Sequence, residues 1–118
     1  MDFRQYLASV VEKVEGAVMT ILFDPDGMVV ALFPETSPFD AEGLAARYAF
    51  LFRELILAST RAGQGEIRTI LMELENASVV ALPLKEGYVL SLILKPGGNV
   101  GRGIFEVKKA AFFLEKGL

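Results

Sequence analysis

Few residues in this chain are able to do chemistry. It contains no histidine and no cysteine. That removes the commonest general base, the commonest metal ligand and any Ser-His-Asp or Cys-His mechanism. It also excludes disulfides and thiolate metal sites. What remains is a set of carboxylates, a set of arginines and one glycine-rich stretch. Glu73 and Glu75 stand two apart in an extended segment, on one face of an expected strand. No second group is placed to make a catalytic pair with them. At a sheet edge such carboxylates discourage wrong strand pairing or bridge to a partner's cations. Gly97-Gly98-Asn99-Val100-Gly101-Arg102-Gly103 resembles a phosphate loop, because it precedes a helix whose first N–H groups can bind an anion. It lacks the Gly-Lys-Ser/Thr ending of a P-loop and follows the last strand. It is therefore read as a strand-to-helix turn. No catalytic, metal or cofactor residue is assigned.

The elements that must position these groups follow from hydrophobic periodicity. The chain of 118 residues fits one domain, spanning 1–118. Phe3, Tyr6, Leu7, Val10, Val11 and Val14 recur at helical spacing, with Asp2 as N-cap and Gly16 as stop. Ala17–Phe23 and Met28–Phe33 are apolar runs joined by Asp24-Pro25-Asp26-Gly27, a hairpin turn. A long helix opens at either Ser37, with Pro38 in its first position, or Asp40, and runs to about Ala62. Glu66–Glu75, Ser78–Leu84 and Tyr88–Lys95 read as three strands of an antiparallel meander. Leu90, Leu92 and Leu94 face one way and Val89, Ser91 and Ile93 the other. Both faces being apolar, helices should cover both sides of the sheet. Asn99 caps a last helix with Val100, Ile104, Val107, Ala111 and Leu114 on its stripe, widened by Phe105 and Phe112.

Hydrophobic residues make up 53% of the chain and its mean hydropathy is +0.43, high for a domain this small. No apolar run approaches the ~20 residues of a membrane helix. The mixed-charge N-terminus has no signal-peptide core. A net charge of −3 gives no footprint for nucleic acid. The excess apolar surface is therefore expected to meet a protein partner, in the cytoplasm and without membrane insertion.

The long helix says where. At ~100° per residue, Leu44, Tyr48, Leu51, Leu55, Ala58 and Ala62 share one side, widened by Ala45, Ala49, Phe52 and Ile56. That side is expected to pack on the sheet. Roughly opposite lie Ala46, Phe50, Arg53 and Leu57, with Arg47, Glu54 and Arg61 alongside. Phe50 and Leu57, two turns apart on one line and flanked by arginines, have the composition of an interface core with its rim.

The order and spacing of several turns resemble one family. Val14-Glu15-Gly16-Ala17 leads from first helix to first strand, and Asp26-Gly27 is followed by Met28-Val29-Val30. Glu42-Gly43-Leu44-Ala45-Ala46 begins the long helix, and Gly65-Glu66 precedes the third strand. Pro83-Leu84-Lys85-Glu86-Gly87 joins the last two strands, and Asn99-Val100-Gly101 opens the last helix. Over nearly the whole chain this resembles the roadblock / dynein light chain family, and within it the MglB-like bacterial or archaeal members. The resemblance implies an α+β sandwich of order αββαβββα. It has a five-stranded antiparallel sheet with the long helix on one face and the terminal helices on the other. It implies a homodimer joined through the third strand and the two long helices. Ala46, Arg47, Phe50, Arg53, Glu54, Leu57, Arg61, Leu71 and Glu73 would then form the dimer or partner interface. It also implies a non-enzymatic regulator or platform for a Ras-like small GTPase, activation without a donated arginine being the role of the MglB-like members. Arg47, Arg53 and Arg61 offer the alternative of an arginine finger in trans. A scaffold subunit that only dimerises, and a small-molecule sensor of the PAS or GAF kind, are the rival readings.

Overall fold

Side-chain caps set the helix boundaries. The computed structural model describes residues 2–37 and 39–118. Asp2 Oδ1 accepts from the Gln5 N–H at 3.1 Å and starts α1, Phe3–Lys13. Asp40 Oδ1 accepts from the Gly43 N–H at 3.1 Å and starts α2, Ala41–Arg61. Asn99 Oδ1 accepts from the Arg102 N–H at 3.0 Å and starts α3, Val100–Leu114. Each satisfies a donor that the first helical turn leaves open. Of the two starts expected for the long helix, Asp40 is the cap. Ser37 serves the turn before it, accepting from the Phe39 N–H, and the expected role of Pro38 lies outside the described residues.

The strands are β1 Ala17–Phe23, β2 Val29–Phe33, β3 Ile70–Glu73, β4 Ser78–Pro83 and β5 Val89–Leu94. They form an antiparallel sheet in the order β2-β1-β5-β4-β3. The β1–β2 hairpin and the β3–β4–β5 meander are each local. They join where Ala17 pairs with Leu94 and Phe23 with Val89.

Strand β3 is shorter than the expected Glu66–Glu75, and Glu75 lies beyond its end. Extending the ladder past Ile70↔Ala81 would set Arg68 opposite Pro83. Leu84 donates its N–H to the Tyr88 carbonyl on the β5 side. Strand alternation therefore turns the Pro83 nitrogen towards β3, where it has no hydrogen to give.

Alternation splits the core into two layers. Leu22, Val80, Leu82, Leu90, Leu92 and Leu94 pack against α1 and α3 through Leu7, Val10, Val107 and Leu114. Met19, Ile21, Phe23, Val79, Ala81, Val89 and Ile93 pack against α2 through Ala45, Ala49 and Phe52. The fold is thus an α+β sandwich, with the long helix on one face and the terminal helices on the other. Phe105 and Phe112, expected to widen the buried stripe of α3, are instead exposed. They project opposite Val107 and Leu114, which face the sheet.

Candidate dimer and partner interface

The sequence of α2 puts small residues where the helix must come close to the sheet. Ala45 and Ala49 are buried one turn apart, and Phe52 fills the space beyond them. The β1–β2 turn sits directly against this segment. Asp24 shapes that turn, its carboxylate accepting from the N–H groups of Asp26 and Met28. Gly27 has φ +82°, and a Cβ there would lie 2.8 Å from the Ala46 Cα. Only glycine combines that backbone conformation with that approach. Arg53 reaches the same turn, donating from Nη2 to the Pro25 carbonyl.

This geometry corrects the expected phase of α2. The line buried on the sheet is Ala45, Ala49 and Phe52, with Ile56 and Tyr48 half-buried at its sides. Leu51 and Leu55, expected on the sheet, are 40% and 38% exposed. Ala58 and Ala62 are exposed as well. The helix carries two apolar stripes, and a wheel alone does not say which one the sheet takes. The stripe with two alanines wins because the backbone must pass close to Gly27 and the strands. A single line at i, i+4, i+7 and i+11 (Ala45, Ala49, Phe52, Ile56) was the signal present in the sequence.

The open side of α2 is therefore wider than expected. Arg47, Glu54 and Arg61, seven residues apart, form a charged spine along it. On one flank are Ala46, Phe50 (67% exposed), Arg53 and Leu57. On the other are Leu51 and Leu55. This second flank lies towards β3: Leu44 and Tyr48 line a cleft of about 370 Å³ with Leu74 and Ala77 of the β3–β4 turn. Tyr48 stacks on Phe52 at 5.3 Å between ring centres, and burial raises the pKa of its phenol. A second cleft, of about 210 Å³, lies between Pro25, Arg53, Leu57 and Val89.

Strand β3 is one edge of the sheet. Its Leu71 and Glu73 are exposed, but they point to the α1/α3 face, away from Phe50 and Leu57. Ile70 and Met72 take the α2 face. The expected interface residues thus fall into two groups related by the edge of the sheet, one on each side. The glycine-rich stretch serves as a turn, since Asn99 itself occupies the N-terminus of α3. Among the described residues no cluster of acidic side chains is arranged to hold a metal ion.

The family model for the Roadblock/LC7 domain matches residues 6–94. The chain belongs to the Roadblock/LC7 family. Solved structures agree with this fold. A Roadblock/LC7 domain from Streptomyces avermitilis superposes with a TM-score of 0.87 at 18% identity, covering 98% of this chain and 97% of that one. Myxococcus xanthus MglB gives a TM-score of 0.87 at 19% identity over 97% and 92% of the two chains. M. xanthus MglC shares 30% identity over the full length of both chains, with a TM-score of 0.70. No curated protein matches this roadblock chain.

Proposed function

We propose that this roadblock chain is a single-domain, cytoplasmic, non-enzymatic homodimer that serves as a platform or regulator for a Ras-like small GTPase. One observation carries the reading: an apolar surface on α2 lies open beside an unpaired sheet edge. A lone helix roughly 10 Å across leaves much of a five-stranded sheet, about 24 Å wide at ~4.8 Å per strand, to be finished by something else. A second copy offers the same surface, and a twofold interface requires such self-complementarity.

The flank nearer β3, with Leu51 and Leu55, is the one a second copy would bury when β3 pairs with its counterpart. Leu71 and Glu73 would lie across that seam on the other side. Ala46, Phe50 and Leu57, with Arg47, Glu54 and Arg61 at their rim, are then left for the GTPase. Arg53 is already engaged by the Pro25 carbonyl. This favours a role in holding the GTPase over one as an arginine donated to its phosphates.

Light scattering over a concentration range tests the dimer, and titration with the GTPase in its two nucleotide states tests the platform. The double variant Leu51→Asp/Leu55→Asp is expected to halve the solution mass with its helical spectrum intact. Phe50→Asp/Leu57→Asp is expected to remain dimeric and lose the GTPase. A wild-type chain that stays monomeric at high concentration overturns the dimer.

A further inference from the structure

The outer side of α3 has a composition unlike the rest of the molecule. Its exposed residues between Gly101 and Lys116 include Arg102, Phe105, Lys108, Lys109, Phe112, Phe113 and Lys116. Every exposed charge along it is positive, on a chain whose net charge is −3. The acidic residue within α3, Glu106, is withdrawn to 2% exposure, with Arg102 2.8 Å and Lys109 3.8 Å from its oxygens. The Arg102 contact is an ion pair without hydrogen-bond geometry. Glu115, at the end of the helix, is turned to accept from the Lys85 N–H.

The apolar residues on this ridge are all phenylalanine. Phe105 and Phe112 (63% exposed) stand two turns apart on the line opposite Val107 and Leu114. They project straight away from the sheet. The cations flank the rings closely: Arg102 lies 5.3 Å from the centre of Phe105, and Lys116 lies 4.4 Å from that of Phe112. Neighbouring α1 contributes a mixed surface, with Asp2, Glu12 and Glu15 beside Arg4 and Lys13, so α3 alone carries the positive ridge.

From this ridge we infer that the chain adsorbs to an anionic lipid surface through α3, with Phe105 and Phe112 entering the headgroup layer and Lys108, Lys109, Lys116 and Arg102 facing the lipid phosphates. A helix with phenylalanine on its crest and basic side chains around it is the composition that lies in a membrane interface. Lysines and arginines held near an anionic leaflet add attraction that salt screens. The ridge is convex and carries its aromatics outward. Its exposed charges are basic along the whole length of the helix, which matches the uniform negative charge of an anionic leaflet. No helix of the described residues is long and apolar enough to span the bilayer, so the contact is peripheral. It involves the α1/α3 layer only and stands whether or not α2 joins two copies.

Co-sedimentation of the full chain with vesicles decides it. Phosphatidylglycerol vesicles are expected to bring the chain down at low salt, and phosphatidylcholine vesicles to leave it in solution. At ~1 M salt, where the Debye length is about 3 Å, binding is expected to disappear. Phe105→Ser/Phe112→Ser and, separately, Lys108→Glu/Lys116→Glu are each expected to weaken binding at least about tenfold. All four positions are exposed, so a thermal melt should show both variants folded. A wild-type chain left in the supernatant by phosphatidylglycerol overturns the inference and leaves the ridge to an acidic protein partner. Undiminished binding by the phenylalanine variant overturns it equally, since only diffuse charge attraction would remain.

Discussion

The two helical layers of this sandwich are built to different degrees of completion. On one side α1 and α3 pack on the sheet and on each other, and fifteen-residue α3 buries six of its residues. On the other side α2 works alone, and of its 21 residues only Ala45, Ala49 and Phe52 are buried. The first layer has a finished core and a polar-aromatic exterior. The second has a thin core and an apolar exterior. Exposed leucines on α2 and exposed phenylalanines on α3 therefore mean different things. The α2 leucines lie on the open side of a helix that shares its face of the sheet with no second helix, near the β3 edge. The α3 phenylalanines crown a helix whose packing is already complete.

That contrast is sharpest in truncations to alanine. Leu114 is fully buried in the finished layer, and Leu114→Ala is expected to cost about 2–5 kcal/mol. Leu57→Ala, on the open side of α2, should stay within about 0.5 kcal/mol by the same denaturant titration. Comparable losses at the two sites would mean that α2 is packed as tightly as α3 and that its open surface is illusory. Gly27→Ala probes the seat of α2. The added methyl meets the Ala46 backbone at 2.8 Å in a conformation alanine resists, and a loss of about 1–3 kcal/mol is expected. An unchanged melting curve would show that α2 moves away from the turn at little expense.

The smallest effect concerns Tyr48. Burial raises its phenol pKa, so the folded chain holds this proton more tightly than the unfolded chain. The stabilisation is complete below the unfolded tyrosine value of about 10 and is lost as pH rises through the raised folded value. Absorbance titration should resolve a late component that Tyr48→Phe removes. Closing a second copy over the Leu51–Leu55 flank would shift that component further up, and dilution to a concentration at which light scattering reports the monomer would bring it back.

Much of this architecture was legible in local chemistry. Asp2 and Asn99 announce the first and last helices, Ser37 and Asp40 both offer a start for the long one, and Asp26-Gly27 announces the first hairpin. Alternation along Val89–Leu94 correctly predicts helices on both faces. What local chemistry leaves open is decided across the fold. The Glu66–Glu75 run has the composition of a long strand, but Pro83 on the neighbouring strand withholds the donor that would extend it. The wheel of α2 gives two apolar stripes. The choice between them turns on the close approach of Gly27 to the Ala45–Ala49 segment, a contact between parts of the chain that a wheel of α2 alone does not contain. Phe105 and Phe112 read from the sequence as widening the apolar stripe of α3, and the structure exposes both. The clue to that exposure lay in their neighbours Arg102, Lys109 and Lys116. Phe50 and Leu57 are exposed, as the wheel of α2 predicts, and Leu51 and Leu55, which the same wheel sets on the sheet, are exposed as well.

The seam between β1 and β5 has a consequence for how the chain assembles and how it would come apart. Each hairpin closes over a short stretch of chain, whereas β1 and β5 lie near opposite ends of the sequence and meet in the middle of the sheet. Contacts of such long sequence separation carry the largest loop-closure entropy and tend to slow folding. The two terminal helices pack over that junction like the halves of a clasp. Trimming either end of the chain would therefore open the sheet at its centre and not fray it at its rim.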